Sequence, residues 1–245
     1  MPLISKRNLG FTLVELAIVL IIMALLSGGL MMTVGTQMEN AAHSETQRRL
    51  SEARDALLGF TAANGRLPCP ALGNATGIES PLGGGVCNDN WDGFLPAVTL
   101  GINPTNEAGY ALDGWGNPIR YATTKAVSSQ VTTANQIKVA WNAGSTLAGD
   151  LLVCNTSLGV TGIGDGASCA SGSELSNNAV AVIYSRGKNG SAAPMSADEV
   201  ANGNADRVFV SHTQNSTGPN EFDDLVTWIS PNILYNRLIA AGRLP

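Results

Sequence analysis

Charged side chains are scarce in this chain, with Asp, Glu, Lys and Arg together making up 13% of the 245 residues. A coiled-coil rod needs charged flanking positions along its whole length, so that scarcity argues against one. Basic residues are outnumbered, 14 Lys and Arg against 19 Asp and Glu, and they form no cluster. The chain therefore lacks the electrostatic footprint of a phosphate-backbone binder, and no nucleic acid is expected as a partner. Histidine occurs only at His43 and His212, too few for a histidine metal cluster or a Ser-His-Asp triad. No GxSxG is present, and Gly162-Ile-Gly-Asp-Gly166 lacks the Lys-Ser/Thr of a phosphate loop. Asp89 and Asp92 flank Trp91 as a carboxylate pair of the kind glycosidases use, but sequence alone gives no spatial pairing. The chain is not expected to be an enzyme.

Long apolar runs are also rare, with one exception at the start. Residues 11–32 hold 17 hydrophobic side chains in 22 positions, interrupted by the single ionisable Glu15. As a helix this segment is about 33 Å long, enough for a bilayer core of roughly 30 Å, so a transmembrane helix is expected over 11–32. Lys6 and Arg7 precede it and should stay cytoplasmic, which puts the remainder of the chain across the membrane, outside the cytoplasm. A carboxylate within such a helix costs about 2.5–3.5 kcal/mol on insertion scales, and so Glu15 calls for a positively charged partner. Beyond the span, apolar residues from Val34 to Phe60 keep near-helical spacing, and no proline intervenes before Pro68. An amphipathic extension over 33–65 is expected, ending at Asn64-Gly65.

The four cysteines form no CxxC. Cys69 and Cys87 are 18 residues apart and Cys154 and Cys169 are 15 apart, each pair in Gly/Asn-rich sequence. In an oxidising compartment two local disulfides are expected, although three pairings are formally open and a four-thiolate zinc site is the rival reading.

A short basic leader ending in Gly10, followed by Phe11-Thr12-Leu13-Val14-Glu15-Leu16, resembles the signal of type IV pilins and type II secretion pseudopilins. The resemblance implies removal of residues 1–10 by a prepilin peptidase, methylation of the new terminus at Phe11, and a formal charge that falls from −5 to −7 with the loss of Lys6 and Arg7. It further implies assembly through the helix, with Glu15 of one subunit beside the Phe11 ammonium of another, so that each charge relieves the other's burial. The partners implied are other pilin or pseudopilin subunits, the inner-membrane assembly platform and membrane lipid.

From residue 66 to 245 the texture changes to short apolar runs between Gly, Asn, Pro and Asp. Strands are predicted at 119–123, 136–141, 150–154, 179–185 and 207–211, and a terminal helix from Pro231 to Ala241. Residues 155–178 read as one long disulfide-held loop. Asp113-Gly-Trp-Gly-Asn-Pro118 resembles the pseudopilin segment leading into the first strand of the sheet, with Trp115 as a core anchor. The expected fold is α+β, the pilin fold: a long N-terminal helix packed on a small antiparallel β-sheet head with a short C-terminal helix.

Tyr184-Ser-Arg-Gly-Lys-Asn-Gly190 and the acidic residues after it are similar to the loop in which major pseudopilins bind calcium. Calcium is a candidate cofactor on that basis, with Asp206, Asp223 and Asp224 chosen as ligands. A solvated acidic loop is the alternative, and Lys188 departs from the family pattern. The function implied is that of a minor subunit of a type II secretion pseudopilus or type IV pilus supporting protein secretion. The alternatives are an adhesion or DNA-uptake minor pilin with a ligand-binding head, and a monomeric single-pass periplasmic protein.

Overall fold

A capping box opens the first helix. Thr12 C=O accepts the first helical hydrogen bond from Leu16 N–H at 3.1 Å. Thr12 Oγ1 accepts from Glu15 N–H at 3.2 Å, and the Glu15 carboxylate accepts from Thr12 N–H at 3.4 Å. Two of the main-chain donors left over at a helix start are thereby satisfied reciprocally. The computed structural model describes residues 10–73, 76–125, 131–145, 147–190, 196–215, 218 and 220–244, with the backbone alone for 27–34. Helix α1, Leu13–Asn64, has 52 residues. The chain divides into two units, Met1–Ala42 and His43–Pro245.

In the first unit every described residue from Gly10 to Leu26 is exposed. Leu13 is 86% exposed and Leu25 73%, so this run of helix has no apolar cover among the described residues. Among the described residues no helix is long and apolar enough to cross a membrane. Leu13 to Leu26 alone amounts to about 21 Å of helix, short of the roughly 30 Å core. The span expected over 11–32 extends into positions 27–34, whose side chains are outside the described set, as is the leader 1–9.

The second unit, His43–Pro245, takes in the sequence from residue 66 onward together with the last turns of α1. There Thr46, Leu50, Ala53, Leu57 and Thr61 are all buried, a stripe spaced by three and four residues. Gly65, in the left-handed region at φ 68°, stops the helix. On the flank of that stripe Glu45 pairs with Arg49 at 2.7 Å, and farther round the helix Arg48 pairs with Glu52.

The remaining elements are β1 Gly93–Phe94, α2 Ala97–Leu100, β2 Arg120–Thr123, α3 Gln136–Asn142, β3 Leu151–Cys154, β4 Glu174–Ala179, β5 Ala181–Ser185, α4 Ala197–Gly203, β6 Val208–Val210, β7 Leu225–Ile229 and α5 Pro231–Ala240. The strands make two sheets, an antiparallel one of order β1-β2-β5-β7 and a second of order β4-β3-β6. The buried stripe of α1 shares one core with Ile119, Tyr121, Ile183, Ile229 and Leu234. A second core joins Val182 and Tyr184 of β5 to Leu151, Val153 and Phe209 of the other sheet. Residues of β5 thus alternate between the two cores, and this accounts for its nearly continuous apolar sequence.

Several expectations need correction. Residues 136–141 form a helix, not a strand: Ile137 and Ala140 are buried while Lys138 and Val139 are exposed, a spacing of three that an alternating apolar pattern imitates over so short a stretch. Residues 155–178 are not wholly loop, because β4 begins at Glu174 and pairs with β3. The head is not purely antiparallel either, since β3 and β6 run parallel. The segment after Asp113 leads into β2, with β1 already in place before it. The α+β class, the helix on an antiparallel sheet, the terminal helix and both local disulfides, Cys69–Cys87 and Cys154–Cys169, are as expected.

The Asp113 turn couples helix to sheet. Asp113 is buried, and its Oδ1 accepts from Trp115 N–H at 2.9 Å and Asn117 N–H at 2.8 Å while its Oδ2 accepts from Ser185 Oγ at 2.6 Å. Arg49 of α1 donates to Leu112 C=O at 2.7 Å, and Gly114 N–H donates to Thr46 Oγ1 at 2.9 Å. Trp115 packs, partly buried, against the first core.

Candidate functional site

Two places carry chemistry, one in each unit. In the first, Gly10, Phe11 and Glu15 lie at the start of α1. Gly10 precedes the helix and is exposed, and a Cβ built there would touch nothing within 4 Å, so the bond between Gly10 and Phe11 is sterically open. Phe11 is 82% exposed. In the single chain Glu15 is engaged locally, by Thr12. The Thr-x-x-Glu spacing is itself a helix-start signal, and this second property of Glu15 was not drawn from the sequence.

The second site lies in the head, where the β5–α4 connection, α4 and the start of β7 converge. Carboxylate oxygens of Glu199, Asp223 and Asp224 come within 4.8 Å of one another. Glu199 is placed by α4, whose N-cap Ser196 forms a capping box: Glu199 N–H donates to Ser196 Oγ at 3.3 Å and Ser196 N–H to Glu199 Oε2 at 3.1 Å. Glu199 Oε1 accepts from Asn189 Nδ2 at 3.0 Å and from Asp223 N–H at 3.2 Å. Asp223 Oδ2 accepts from the successive N–H groups of Lys188 and Asn189 at 2.9 and 3.1 Å. Asp224 Oδ2 accepts from Asn202 Nδ2 at 2.7 Å.

The other oxygens are left over. Asp223 Oδ1, Asp224 Oδ1 and Asn189 Oδ1 are buried with no hydrogen-bond donor. Such orphaned acceptors cost free energy unless something positive reaches them. Burial, reinforced by the neighbouring Glu199 and Asp223 charges, pushes the Asp224 carboxyl up to about 8. Burial likewise raises Asp223 to about 6 against the pull of the Lys188 and Asn189 amides. Gly187, at φ 60°, has to be glycine: a Cβ would stand 2.1 Å from Asp223 Oδ1. Hard oxygen donors, anionic when ionised and unmatched by protein donors, suit a hard divalent cation.

Of the three acids chosen from sequence, the fold brings together Asp223 and Asp224. Asp206 lies outside the group and turns on its own loop, accepting from Val208 N–H at 2.8 Å. Sequence reasoning counted Glu199 among the oxygen donors available but did not choose it, and it did not weigh Asn189 as a ligand. The Ser196-x-x-Glu199 spacing could have marked Glu199 as the head of a helix, but not its return to Asp223, which depends on tertiary contact.

A family model described as the prokaryotic N-terminal methylation motif matches residues 5–31. No curated protein and no solved structure matches the chain. The matched segment contains Gly10, Phe11, the Thr12–Glu15 capping box and the exposed aliphatic run. The match shows that the chain carries a prokaryotic N-terminal methylation motif at residues 5–31, the segment on which its resemblance to type IV pilins and pseudopilins rests.

Proposed function

We propose that the chain is inserted in the inner membrane, cut after Gly10, methylated at Phe11 and assembled through α1 into a type II secretion pseudopilus or type IV pilus, where it supports protein secretion as a minor subunit. The observation that carries this reading is the methylation motif on a helix start whose aliphatic side chains are exposed from Leu13 to Leu26. A run so exposed is unstable against water and is covered by lipid before assembly and by neighbouring helices after it. Release of the leader creates an ammonium at Phe11, which the carboxylate of a neighbouring subunit's Glu15 neutralises in the apolar interior of the fibre.

Mass and N-terminal sequencing of the membrane-extracted protein, with and without the peptidase, tests the first step. The expected product begins at N-methyl-Phe11 only when the peptidase is present, and a chain beginning at Met1 in both strains overturns the reading. Glu15→Ala then separates assembly from anchoring: incorporation into filaments is lost while membrane extraction is unchanged. An equal yield of filaments from the variant would refute the pairing. Loss of secretion on deletion of the protein supports the pseudopilus, whereas normal secretion with lost attachment supports an adhesive pilus.

A cation in the head is a further part of this reading. The residues fit calcium: Glu199, Asp223, Asp224 and Asn189 would hold it, and the ion would supply the positive charge that the orphaned oxygens lack. Melting of the full chain with calcium and then with chelator tests it, an unchanged midpoint being the refuting result.

A further inference from the structure

Sheet edges expose unpaired N–H and C=O groups, and folded chains usually cover, bulge or charge them. At β1 the cover is Ala71, whose N–H donates to Phe94 C=O at 2.9 Å and whose C=O accepts from Phe94 N–H at 2.8 Å. At β6 the side-chain amide of Asn202 takes the place of a strand, donating to Val210 C=O at 3.0 Å and accepting from Val210 N–H at 2.6 Å. The β4 edge is bulged against β3 and carries exposed polar residues. At β7 none of these devices is found among the described residues.

The hydrogen bonds fix which groups of β7 are open. Val180 N–H donates to Ile229 C=O at 2.9 Å, and Val180 C=O accepts from Thr124 N–H at 3.0 Å. With the register Ile183↔Thr227 and Ser185↔Leu225, alternate residues of β7 turn their main-chain groups to β5, and Val226 and Trp228 turn theirs outward. Beside this edge lies a groove of about 540 Å³, walled by Leu225 to Thr227, by residues 211–214 and by the 43–54 face of α1. Arg54 lines it, and its Nε is buried without an acceptor. Gln47 and Ser51 add uncharged hydrogen-bonding groups.

We propose that this groove receives an extended peptide segment of another protein chain that carries a carboxylate. The segment adds as a strand to β7 through the outward N–H and C=O of Val226, and its carboxylate takes the Arg54 guanidinium. An open edge specifies an extended main chain, because only that geometry meets the ladder, and a planar guanidinium without a partner specifies a planar anion. Asp224 also reaches the groove. Its Oδ2 is already engaged by Asn202 Nδ2 at 2.7 Å.

The inference goes beyond filament assembly and does not depend on it, since binding is read on the single full-length chain in detergent. The probe is a short fluorescent peptide alternating valine and threonine about one central glutamate. Saturable binding is expected, weakened about tenfold or more when the peptide's glutamate becomes glutamine or when the protein carries Arg54→Gln. Val226→Pro removes the outward N–H and leaves the β5 ladder intact, so it should abolish binding with little change in melting temperature. No saturable binding, equal binding of the glutamate and glutamine peptides, or full binding to a folded Val226→Pro chain would overturn the proposal. If Val226→Pro lowers the melting temperature, Arg54→Gln with the two peptides decides alone.

Discussion

Calcium affinity of the head should rise steeply with pH, and the two raised carboxyls set the window. A cation needs both acids ionised, so each proton still bound must be released on binding. With Asp224 near 8 and Asp223 near 6, one proton is displaced between about pH 6 and 8, and two below 6. The association constant should therefore climb about tenfold per pH unit from 6 to 8, roughly a hundredfold in all, more steeply below 6, and level off above 8. Without the cation the sign is reversed. Both folded pKa values lie above the unfolded carboxylate value, so the two acids favour the fold below about pH 4, and that contribution is lost as the pH rises through 6 and 8. Calcium should then stabilise most where the cation-free chain is weakest, at pH 8 and above. Isothermal titration of the full chain at pH 5.5, 7 and 8.5, with melting curves in calcium and in chelator, measures both effects. An affinity flat across that range, or a chelated chain most stable at high pH, would refute the account of this site.

Two further outcomes follow from the buried contacts of the head. Arg66 and Glu79 form a bidentate pair at 2.7 and 2.6 Å, with side chains 8% and 3% exposed, so Glu79→Gln strands a buried guanidinium at a cost of about 3–5 kcal/mol. At about 2–4 °C per kcal/mol for a domain of this size, the melting midpoint should fall by at least about 6 °C, and a fall of less than 2 °C would show the pair to be dispensable. Replacing Cys154 and Cys169 together by serine opens a disulfide spanning 15 residues, for an expected loss of about 3 kcal/mol in urea unfolding; an unchanged midpoint would mean that the loop is held by its other contacts.

What could be read from the sequence was whatever rests on local pattern or on chain-wide chemistry. The stripe from Leu50 to Thr61, the Gly65 stop, the cysteine spacings and the apolar run of β5 each state their structure within a few residues. The methylation signal is of the same kind, since a peptidase reads a short linear segment. Strand β4 is the opposite case: Glu-Leu-Ser-Asn-Asn-Ala has little β-propensity, and it is extended because β3 offers it a partner. In α3, Ile137 and Ala140 face the core only because Asn135, at φ 63°, starts a helix there. The acidic site divides along the same line. Asp223 and Asp224 were legible as neighbours in an acidic loop, whereas Glu199 joins them across 24 residues through the Asp223 N–H. Asp206, equally acidic in sequence, is satisfied by Val208 two residues on. An acid satisfied locally is indistinguishable in sequence from one aimed at a ligand, and only the placement of donors separates them. Asp206 has its donor, while Asp223 Oδ1 and Asp224 Oδ1 have none, and it is on this difference in satisfaction that the proposed cation site rests.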